Sequence, residues 1–367
     1  MPTPGDVLEE REPHTEAAHR VYRRYLHTWF PTLLAGFPRG VTYAEGFAGP
    51  GEYHGGYPGS PVIALRAALA SAPERHPGKP VHLLLVEADN RRLEHLRTVL
   101  RVELGNLRPN SLNSSGLVID LEAGPCERTL PLLLSRHRAE NRPLLVVLDT
   151  SGEAVAFSLL QQIASTPWPE VIVTVPPGHF ARLADDRDQR GGERVLGPAV
   201  WRDVQSRHDD QRADYIRTHY RRTVEEAGFR YVLDVELAAQ NHGLLHLVYG
   251  TNHRRGVEKM KDAMWSVEPV AGIDYRDPRD PDQRGLAVEP AAALNRLLVG
   301  YLASRPAGRA TVKELREFTL LGTIYKPART VAAVNALLTE QQIRTVTGGK
   351  ITAGSVVEAV TVPDAPA

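Results

Sequence analysis

A glycine-rich segment follows the first apolar stretch of the chain, in the sequence YAEGFAGPGEYHGG at residues 43–56. Glu45 ends the apolar stretch, and five glycines fall within residues 46–56. A turn that only reverses the chain needs one or two glycines, because only one or two of its positions need a positive φ angle. The higher density favours a loop in which a ligand lies against backbone without side chains, beside a carboxylate that can accept a hydrogen bond from it.

The spacing of Glu45, Phe47, Gly49 and Gly51 follows the pattern acid-x-Phe-x-Gly-x-Gly. This pattern does not match the dinucleotide fingerprint Gly-x-Gly-x-x-Gly. It resembles the first motif of class I S-adenosylmethionine-dependent methyltransferases, in the Phe-Ala-Gly form common among nucleic-acid methyltransferases. The resemblance implies S-adenosyl-L-methionine as the cofactor, with its amino-acid and ribose portions against the loop. The loop residues that it implies as cofactor-binding are Glu45, Gly46, Phe47, Ala48, Gly49 and Gly51.

Acidic residues also follow the next three apolar segments of the pattern. Glu87 is expected to hold the two ribose hydroxyls, as an acid does at this place in other doubly wound nucleotide sites. Glu122, or failing that Asp120, is expected near the adenine amino group, and Asp149 near the methyl acceptor. A single acid after a strand is more often a helix N-cap than a ligand contact. Because the carboxyl ends of parallel strands meet at one edge of a sheet, the repeated pattern favours one shared crevice.

Asp149 is the predicted catalytic residue. The sulfonium methyl of the cofactor is already activated, so the protein mainly has to align donor and acceptor and to remove or share a proton. Asp149 could orient or deprotonate an amine or hydroxyl acceptor, and its alternative role is to cap the following helix. The sequence DTSG at residues 149–152 lacks the aromatic residue of the Asp-Pro-Pro-Tyr motif expected for adenine N6 methylation. The chemistry requires no metal, and the sequence has no convincing metal-ligand cluster.

The hydrophobic pattern predicts the elements that must position these residues. Continuously apolar segments alternate with helical segments, which is typical of parallel strands covered on both faces. We therefore predict an α/β fold with a doubly wound Rossmann-like methyltransferase sheet. A helix from Thr15 to about Phe30 precedes the sheet, with Pro31 kinking or ending it, and Ser60 is the predicted N-cap of the helix after the glycine loop. The predicted strands are 40–47, 80–89, 116–124, 143–152, 170–178, 230–237 and 243–252.

The pattern divides the chain into four parts. Residues 1–13 are expected to be disordered, and residues 14–265 to form the Rossmann-like methyltransferase domain. The Pro- and Asp-rich segment 266–285 has no periodicity and is the predicted linker. Residues 286–367 are predicted to form a winged-helix-like domain and a C-terminal tail.

The winged-helix prediction depends on three helices and a β-hairpin within about residues 288–355. The second helix begins with a capping box at Thr311 and Glu314, and the hairpin turns at Gly348-Gly349. Basic residues of this segment are candidate nucleic-acid contacts, because they could meet phosphates. They are Lys326, Arg329, Arg344 and Lys350. Winged helices also dock proteins, so the alternative function is a catalytically silent nucleic-acid-binding or partner-docking protein built on a methyltransferase fold.

Composition limits the class of protein. The 367 residues carry 44 basic and 44 acidic side chains, so contact with DNA or RNA would need a local patch rather than the overall charge. Cys126 is the only cysteine, which excludes a disulfide framework or an iron-sulfur cluster carried by this chain alone and suits a reducing compartment. The polar start has no apolar core for a signal peptide, and no run of 18 apolar residues occurs. We expect a cytoplasmic protein with no membrane segment.

The chain resembles the three-Cys-motif partner protein family, TcmP, in the strings HTEAAHRVYRRYLHTWF, YAEGFAGPGEYHGGYPGSPVIAL, LLVEAD, VVLDTSG and HLVYGTNHRRGVEKMKDAMW. The resemblance spans about residues 14–345 and implies a class I methyltransferase fold with a C-terminal winged-helix segment. It also implies a partner encoded nearby, a three-Cys-motif protein related to radical S-adenosylmethionine enzymes. Two positions depart from the family. Glu45 stands where the family usually has Asp, and residues 149–152 read DTSG where it commonly has Asp-Pro-Phe-Gly, which changes the acceptor pocket.

Overall fold

The computed structural model describes residues 6–71, 76, 78–105, 116–150, 155–175, 189–239, 243–267, 273–278, 291–346 and 350–360. Within these residues, the chain has a mixed α/β fold in which a large, mostly parallel central sheet lies between two layers of helices. The strands are β1 Val41–Glu45, β2 Glu52–Tyr53, β3 Tyr57–Pro58, β4 Val81–Glu87, β5 Leu117–Ala123, β6 Leu144–Asp149, β7 Pro169–Val175, β8 Tyr231–Ala239, β9 Gly243–Thr251, β10 Ile273–Arg276, β11 Arg309–Thr311, β12 Ile343–Thr345 and β13 Val356–Ala359.

The central sheet has eight strands in the order β10-β8-β9-β7-β6-β1-β4-β5. Strand β1 pairs in parallel with β4 on one side and with β6 on the other. The chain therefore builds the sheet outward through β4 and β5 and then crosses to the other side of β1 at β6. Such a switch of direction leaves a crevice outside the carboxyl ends of the two central strands. Glu45 and Asp149 are the last residues of these strands.

The two faces of the sheet are covered by different helices. The helices are α1 Pro13–Gly36, α2 Ser60–Ala70, α3 Asn90–Gly105, α4 Cys126–Arg136, α5 Phe157–Ala164, α6 Gln189–Leu196, α7 Pro198–Gln205, α8 Asp209–Glu226, α9 Arg254–Met264, α10 Ala291–Ala303, α11 Val312–Gly322 and α12 Thr330–Thr339. Helices α1, α2, α3 and α9 share a core with Leu83 and Leu85 of β4, whereas α4 to α8 share a core with Leu84 and Val86. Alternate residues of each strand thus face different layers, and we call the first layer the α1 face.

All seven predicted strands are confirmed, and each begins within one residue of its predicted start. The continuous apolar runs located them because most of these strands are buried on both faces, whereas the edge strand β5 is only partly buried. The pattern missed β10, β11, β13 and the hairpin of β2 and β3, which have two to four residues each, and the strand that pairs with β12 is β13 rather than a strand directly after the predicted Gly348-Gly349 turn. Elements of this length are too short to produce a periodic signal.

Several local predictions differ from the structure. Pro31 does not end α1, which continues to Gly36. The N-cap of α2 is Gly59 rather than Ser60, whose hydroxyl instead donates to a carboxylate of the core. Within the predicted linker 266–285, residues 273–276 are strand β10, paired antiparallel with β8, because their alternate apolar side chains extend the sheet.

The N-terminal segment also differs from its prediction over the part that the structure describes. Residues 1–5 lie outside the described residues. Within residues 6–12, which we expected to be disordered, the carbonyl of Glu9 accepts a 2.9 Å hydrogen bond from the N–H of His54, and the Glu9 carboxylate pairs with Arg92. These contacts hold the segment against the glycine loop. Helix α1 begins immediately after it, at Pro13.

The C-terminal part consists of α10, α11, α12 and a three-stranded antiparallel sheet in the order β11-β13-β12. The predicted capping box is confirmed, because the Thr311 hydroxyl accepts from the N–H of Glu314 and the Glu314 carboxylate accepts from the N–H of Thr311. The predicted turn at Gly348-Gly349 lies outside the described residues.

A buried lysine joins the C-terminal part to the main sheet. Lys261 of α9 is fully buried, and its ammonium donates hydrogen bonds of 2.6 to 2.9 Å to the carbonyls of Thr319, Leu320, Thr323 and Tyr325. These carbonyls lie at the end of α11, where the last carbonyls of a helix lack intrahelical partners and attract a cation. The two parts also share one hydrophobic cluster. Lys261 therefore holds the C-terminal helices on the α1 face of the domain.

Candidate functional site

The glycine loop after β1 combines packing positions with two open positions, of which Gly49 borders the cleft described below and Gly56 does not. A Cβ on Gly46 would lie 2.4 Å from the thiol sulfur of Cys126, so Gly46 lets α4 approach the loop. A Cβ on Gly51, whose φ is +87°, would lie 2.7 Å from Leu96 of α3. Gly49 has a φ of +64°, and a Cβ there would meet no atom within 4 Å. The open backbone at Gly49 is therefore the part of the loop that can accept a ligand.

The loop lines a cleft at the switch point of the sheet. Phe47, Ala48, Gly49 and Gly51 border it, and so does Asp149 from the end of β6. The structure thus brings the predicted glycine loop and the predicted catalytic residue into one cavity. Other acidic residues that border the cleft are Glu9, Glu10 and Glu12 of the N-terminal segment and Glu52 of β2.

The charge of this cleft is predominantly negative. Arg92 is the cation that borders it, and it is paired with Glu9. Glu52 pairs with His95, at 2.9 Å between the carboxylate and the imidazole Nε2. Glu10 and Glu12 are exposed at its mouth. The cleft consequently favours a ligand that carries positive charge.

Glu87 lies at the predicted position, at the end of β4. Its carboxylate accepts hydrogen bonds of 2.8 Å from the backbone N–H groups of Gly49 and Asp89. The Glu87 side chain therefore contacts the open part of the glycine loop and fixes the loop against the neighbouring strand. Glu87 is 8% exposed and is not among the residues that border the cleft, so a ligand hydroxyl would reach it only beside the open backbone of Gly49.

Glu45 has a different role from the one we predicted for it. Its side chain is 1% exposed and accepts hydrogen bonds from the hydroxyls of Tyr43 at 2.6 Å and Ser60 at 2.7 Å. Burial raises the pKa of Glu45 to about 8, so the group is neutral at neutral pH. The carboxyl group is directed into the core between β1 and α2, away from a ligand ammonium. Motif position identified the residue correctly, but it could not indicate which way the side chain turns.

Glu122 does not reach the cleft. It lies opposite Val86 in the register of β4 and β5, and Val86 belongs to the core on the other face of the sheet. There Glu122 pairs with Arg136 of α4, and Asp120 accepts from His137 at 2.8 Å. Side chains alternate between the two faces of a sheet, so on β4 and β5 the even-numbered residues lie on one face and the odd-numbered residues on the other. Glu45, Glu87 and Asp149 consequently share the α1 face, and the fourth acid lies on the opposite face.

Asp149 lies close to a histidine that the motif search missed. The Asp149 carboxylate accepts from the Thr174 hydroxyl, and its other oxygen lies 3.9 Å from Nε2 of His19. Burial raises the pKa of Asp149. His19 belongs to α1, so the pair connects the first helix of the chain to the end of β6. In the sequence, His19 is visible as a polar residue on the apolar stripe of that helix.

His19 is buried without a hydrogen bond to either ring nitrogen. The side chain is 3% exposed, and neither Nδ1 nor Nε2 has a hydrogen-bond partner among the described residues. Burial, with the charges of Arg11 and Arg23, lowers the pKa of His19 to about 3. The imidazole is therefore neutral at neutral pH. A buried polar group without a hydrogen bond costs free energy, and such groups are frequent at functional sites.

Tyrosines complete the surroundings of His19. Its ring centroid lies 5.7 Å from the ring of Tyr53 and 5.8 Å from that of Tyr22. Tyr53 also borders the glycine cleft. Burial, with the nearby carboxyl groups of Asp149 and Glu45, raises the pKa of Tyr22. These neutral aromatic groups pack around the His19 ring.

The predicted nucleic-acid residues of the C-terminal part do not form one patch of unpaired charge. Arg344 of β12 and Arg309 of β11 both pair with Glu358 of β13. Lys326 borders a small groove beside α1 and α9 rather than the exposed side of the three-stranded sheet. The remaining two, Arg329 and Lys350, are exposed.

Comparison with known proteins adds little to these observations. No family model and no curated protein matches the chain. A solved structure from Legionella pneumophila, described by family model DUF519, has 12% sequence identity, a TM-score of 0.38 and coverage of 70% of this chain and 95% of its own. A possible exported protein from Bordetella parapertussis has 16% identity, a TM-score of 0.27 and coverage of 61% and 66%. Likeness at these scores carries no conclusion about function.

Among the described residues, no helix combines the length and the apolar composition needed to cross a membrane.

Proposed function

We propose that this chain is an S-adenosylmethionine-dependent methyltransferase-like protein that acts on nucleic acid or on a partner-associated substrate. One observation carries the proposal. The open glycine loop after β1 and the carboxylate of Asp149 after β6 border the same cleft, at the switch point of the sheet. Ligands of doubly wound α/β folds bind at this place.

The residues of the cleft fit the proposed methyl donor in charge and in shape. The donor carries a sulfonium and an ammonium, and the cleft carries an excess of carboxylates. Gly49 offers backbone with no obstruction above it. Glu87 would hold the ribose hydroxyls, while Phe47, Ala48 and Gly49 would line the nucleoside. Glu45 supports the loop from below and does not contact the donor, because both of its oxygens are bonded within the core.

The chain's own residues would hold the acceptor and take its proton. When bound, the donor supplies an activated methyl group. Asp149 would orient an amine or hydroxyl of the acceptor. His19 is neutral and has no hydrogen-bond partner among the described residues, so a ring nitrogen can accept a hydrogen bond from that group. The Asp149 carboxylate, 3.9 Å from Nε2 of His19, would take the proton, because burial raises the pKa of Asp149 and lowers that of His19.

The finer assignments of fold and partner are part of the same proposal. The strand order and the cleft at the switch point support a Rossmann-like methyltransferase domain. Three helices with a three-stranded antiparallel sheet support a winged-helix-like C-terminal domain. The resemblance to the TcmP family, and with it a three-Cys-motif partner, stays a prediction.

Binding of labelled S-adenosyl-L-methionine to the purified protein tests the proposal. The variant Gly49→Val should abolish binding, because its side chain would occupy the open space above the loop. Gly78→Val is the matched control, since Gly78 also has a positive φ angle and no atom within 4 Å of an added Cβ. Both variants carry similar backbone strain, and only the first should lose the donor. Failure of the unaltered protein to bind at millimolar donor would contradict the proposal and favour the catalytically silent alternative.

A further inference from the structure

Helix α1 presents a basic stripe to a groove beside the glycine cleft. Arg20, Arg23, Arg24 and His27 are spaced by three and four residues, which places them on one side of the helix. We call this set the α1 arginine face. It extends about 10 Å along the helix axis, and all four residues border the groove.

Two arginines of this face, Arg23 and Arg24, form no ion pair among the described residues. Glu16 pairs with Arg20 at 2.6 Å and with Arg11 at 2.9 Å, so one carboxylate serves two arginines. Within the described residues, no acidic side chain lies within ion-pair distance of Arg23 or Arg24, and Arg24 donates to the hydroxyl of Ser266 at 3.1 Å. The chain as a whole has no net charge. A local excess in a concave surface therefore creates a field that the average composition does not.

The groove adjoins the proposed active cleft. His19 borders the groove and lies 3.9 Å from Asp149, which borders the cleft. The hairpin of β2 and β3 separates the two cavities, with Tyr53 on the cleft side and Tyr57 on the groove side. Tyr57 is 48% exposed, and the guanidinium of Arg11 lies 3.9 Å from the centre of its ring. An exposed aromatic ring thus stands where the basic groove meets the catalytic pair.

We propose that the α1 arginine face binds the phosphates of a single-stranded nucleic acid, and that Tyr57 stacks a base of this strand beside His19 and Asp149. This inference rests on the proposed function, and it assigns the substrate class and its path. Basic grooves that follow the backbone and aromatic rings that stack bases are the two elements of single-strand binding. A base within a duplex could not reach a carboxylate recessed at a sheet edge without leaving the stack.

The basic path continues toward the C-terminal part of the chain. Arg24 and Ser266 also border a second, smaller groove, together with Lys259 of α9 and Lys326. Lys326 is one of the residues that the sequence predicted as a nucleic-acid contact. Lys326 would then contribute to binding by extending the basic groove beside α1, rather than as part of a recognition helix.

Fluorescence anisotropy with a labelled single-stranded RNA or DNA oligonucleotide tests the inference on the full chain. The double variant Arg23→Glu/Arg24→Glu should weaken binding about tenfold or more and reduce the slope of log affinity against log salt by about 1.4. The matched control is Arg39→Glu/Arg101→Glu, which reverses two exposed arginines outside the groove. This control should change affinity by less than about twofold. Tyr57→Ala should weaken binding about fivefold.

Three results would overturn the inference. They are unchanged binding by the α1 double variant, equal loss in the control, and equally tight binding of polyglutamate, which carries charge without bases. Loss of binding on Arg329→Glu/Lys350→Glu, with the α1 variant unaffected, would also overturn it and move the site to the C-terminal part. Donor binding is measured on the same samples. An unaltered protein that binds oligonucleotide but no donor refutes the proposed function, whereas donor binding without oligonucleotide binding refutes the groove.

Discussion

The glycine cleft and the α1 groove are neighbouring cavities with opposite charge. Glu9, Glu10, Glu12 and Glu52 border the first, whereas the α1 arginine face borders the second. The β2–β3 hairpin lies between them, and His19 with Asp149 connects them. Opposite charges allow one protein to attract a cationic donor and a polyanionic acceptor to adjacent places without competition between them. Under the proposed function, His19 and Asp149 would act at the boundary between the two cavities.

The two cavities differ in how they are built. The cleft depends on backbone geometry, on strand ends and on a loop in which Gly49 has a positive φ angle that side chains rarely adopt. The groove depends on exposed side chains of a single helix, which can change without disturbing the core. Substitutions in the cleft should therefore act on binding and folding together, while those in the groove should act on binding alone.

The largest expected effect is that of Asp149→Asn, which removes the carboxylate at the boundary and keeps its shape. Methyl transfer from labelled donor to single-stranded nucleic acid should fall about 10²- to 10⁴-fold, while both ligands still bind. Asp120→Asn is the control, because Asp120 lies on the opposite face of the sheet. Retained transfer by Asp149→Asn would assign the residue to helix capping or packing alone.

The next effect concerns His19→Phe, which removes two buried nitrogens that lack hydrogen bonds among the described residues. Transfer should fall about 100-fold, and the free energy of unfolding should stay constant or rise by up to about 1 kcal/mol. A purely structural histidine would give the reverse pattern, with lower stability and unchanged transfer. His246→Phe, at a buried histidine of β9, is the control for the effect of substitution itself.

Sequence reasoning predicted the sheet well because most of its strands are long and buried on both faces. Glu45, Glu87 and Asp149 were placed correctly at three strand ends, and the glycine loop at the first of them. The sequence pattern did not indicate which face of the sheet each residue of a strand would occupy. Glu122 is therefore on the wrong face for the cleft, and Glu45 turns inward to Tyr43 and Ser60.

The residues that sequence reasoning missed come from distant segments. His19 reaches Asp149 only because the N-terminal part of α1 packs near the end of β6. Glu9, Glu10 and Glu12 reach the cleft only because the preceding segment is held by His54 and Arg92. No local signal encodes such contacts. The stripe of arginines in α1 was visible at helical spacing, but its meaning depends on the cavity beside it.

A third prediction concerns which acids of the cleft region carry charge. Since the folded state raises the pKa of Glu45 from 4.5 to about 8, it binds the proton more tightly than the unfolded state does. This contribution to stability is complete below about pH 4.5 and is lost as the pH rises toward 8. Burial lowers the pKa of His19 to about 3, which acts in the opposite direction below about pH 6.5.

The interval between about pH 7 and 8 therefore reports mainly on Glu45. The free energy of unfolding should fall by about 1 kcal/mol over this interval, and denaturant titrations of Glu45→Gln should remove most of that slope. Glu170→Gln is the control, because burial raises the pKa of Glu170 to about 7 and its contribution ends near that pH. A slope that survives in Glu45→Gln would mean that Glu45 is ionised and adds to the charge of the cleft.

The smallest expected effect tests whether exposed charge at the cleft controls the affinities for donor and oligonucleotide. Glu10→Lys/Glu12→Lys reverses two exposed charges at the mouth of the cleft and should weaken donor binding about fivefold at low salt. The same variant should bind oligonucleotide as tightly as the unaltered protein or more tightly, because it extends the positive surface toward the groove. Glu140→Lys/Glu340→Lys reverses two exposed acids elsewhere and should leave both affinities unchanged. If the affinities for donor and for oligonucleotide change in the same direction, charge does not decide which ligand binds in which cavity. The β2–β3 hairpin between the cavities would then have another role.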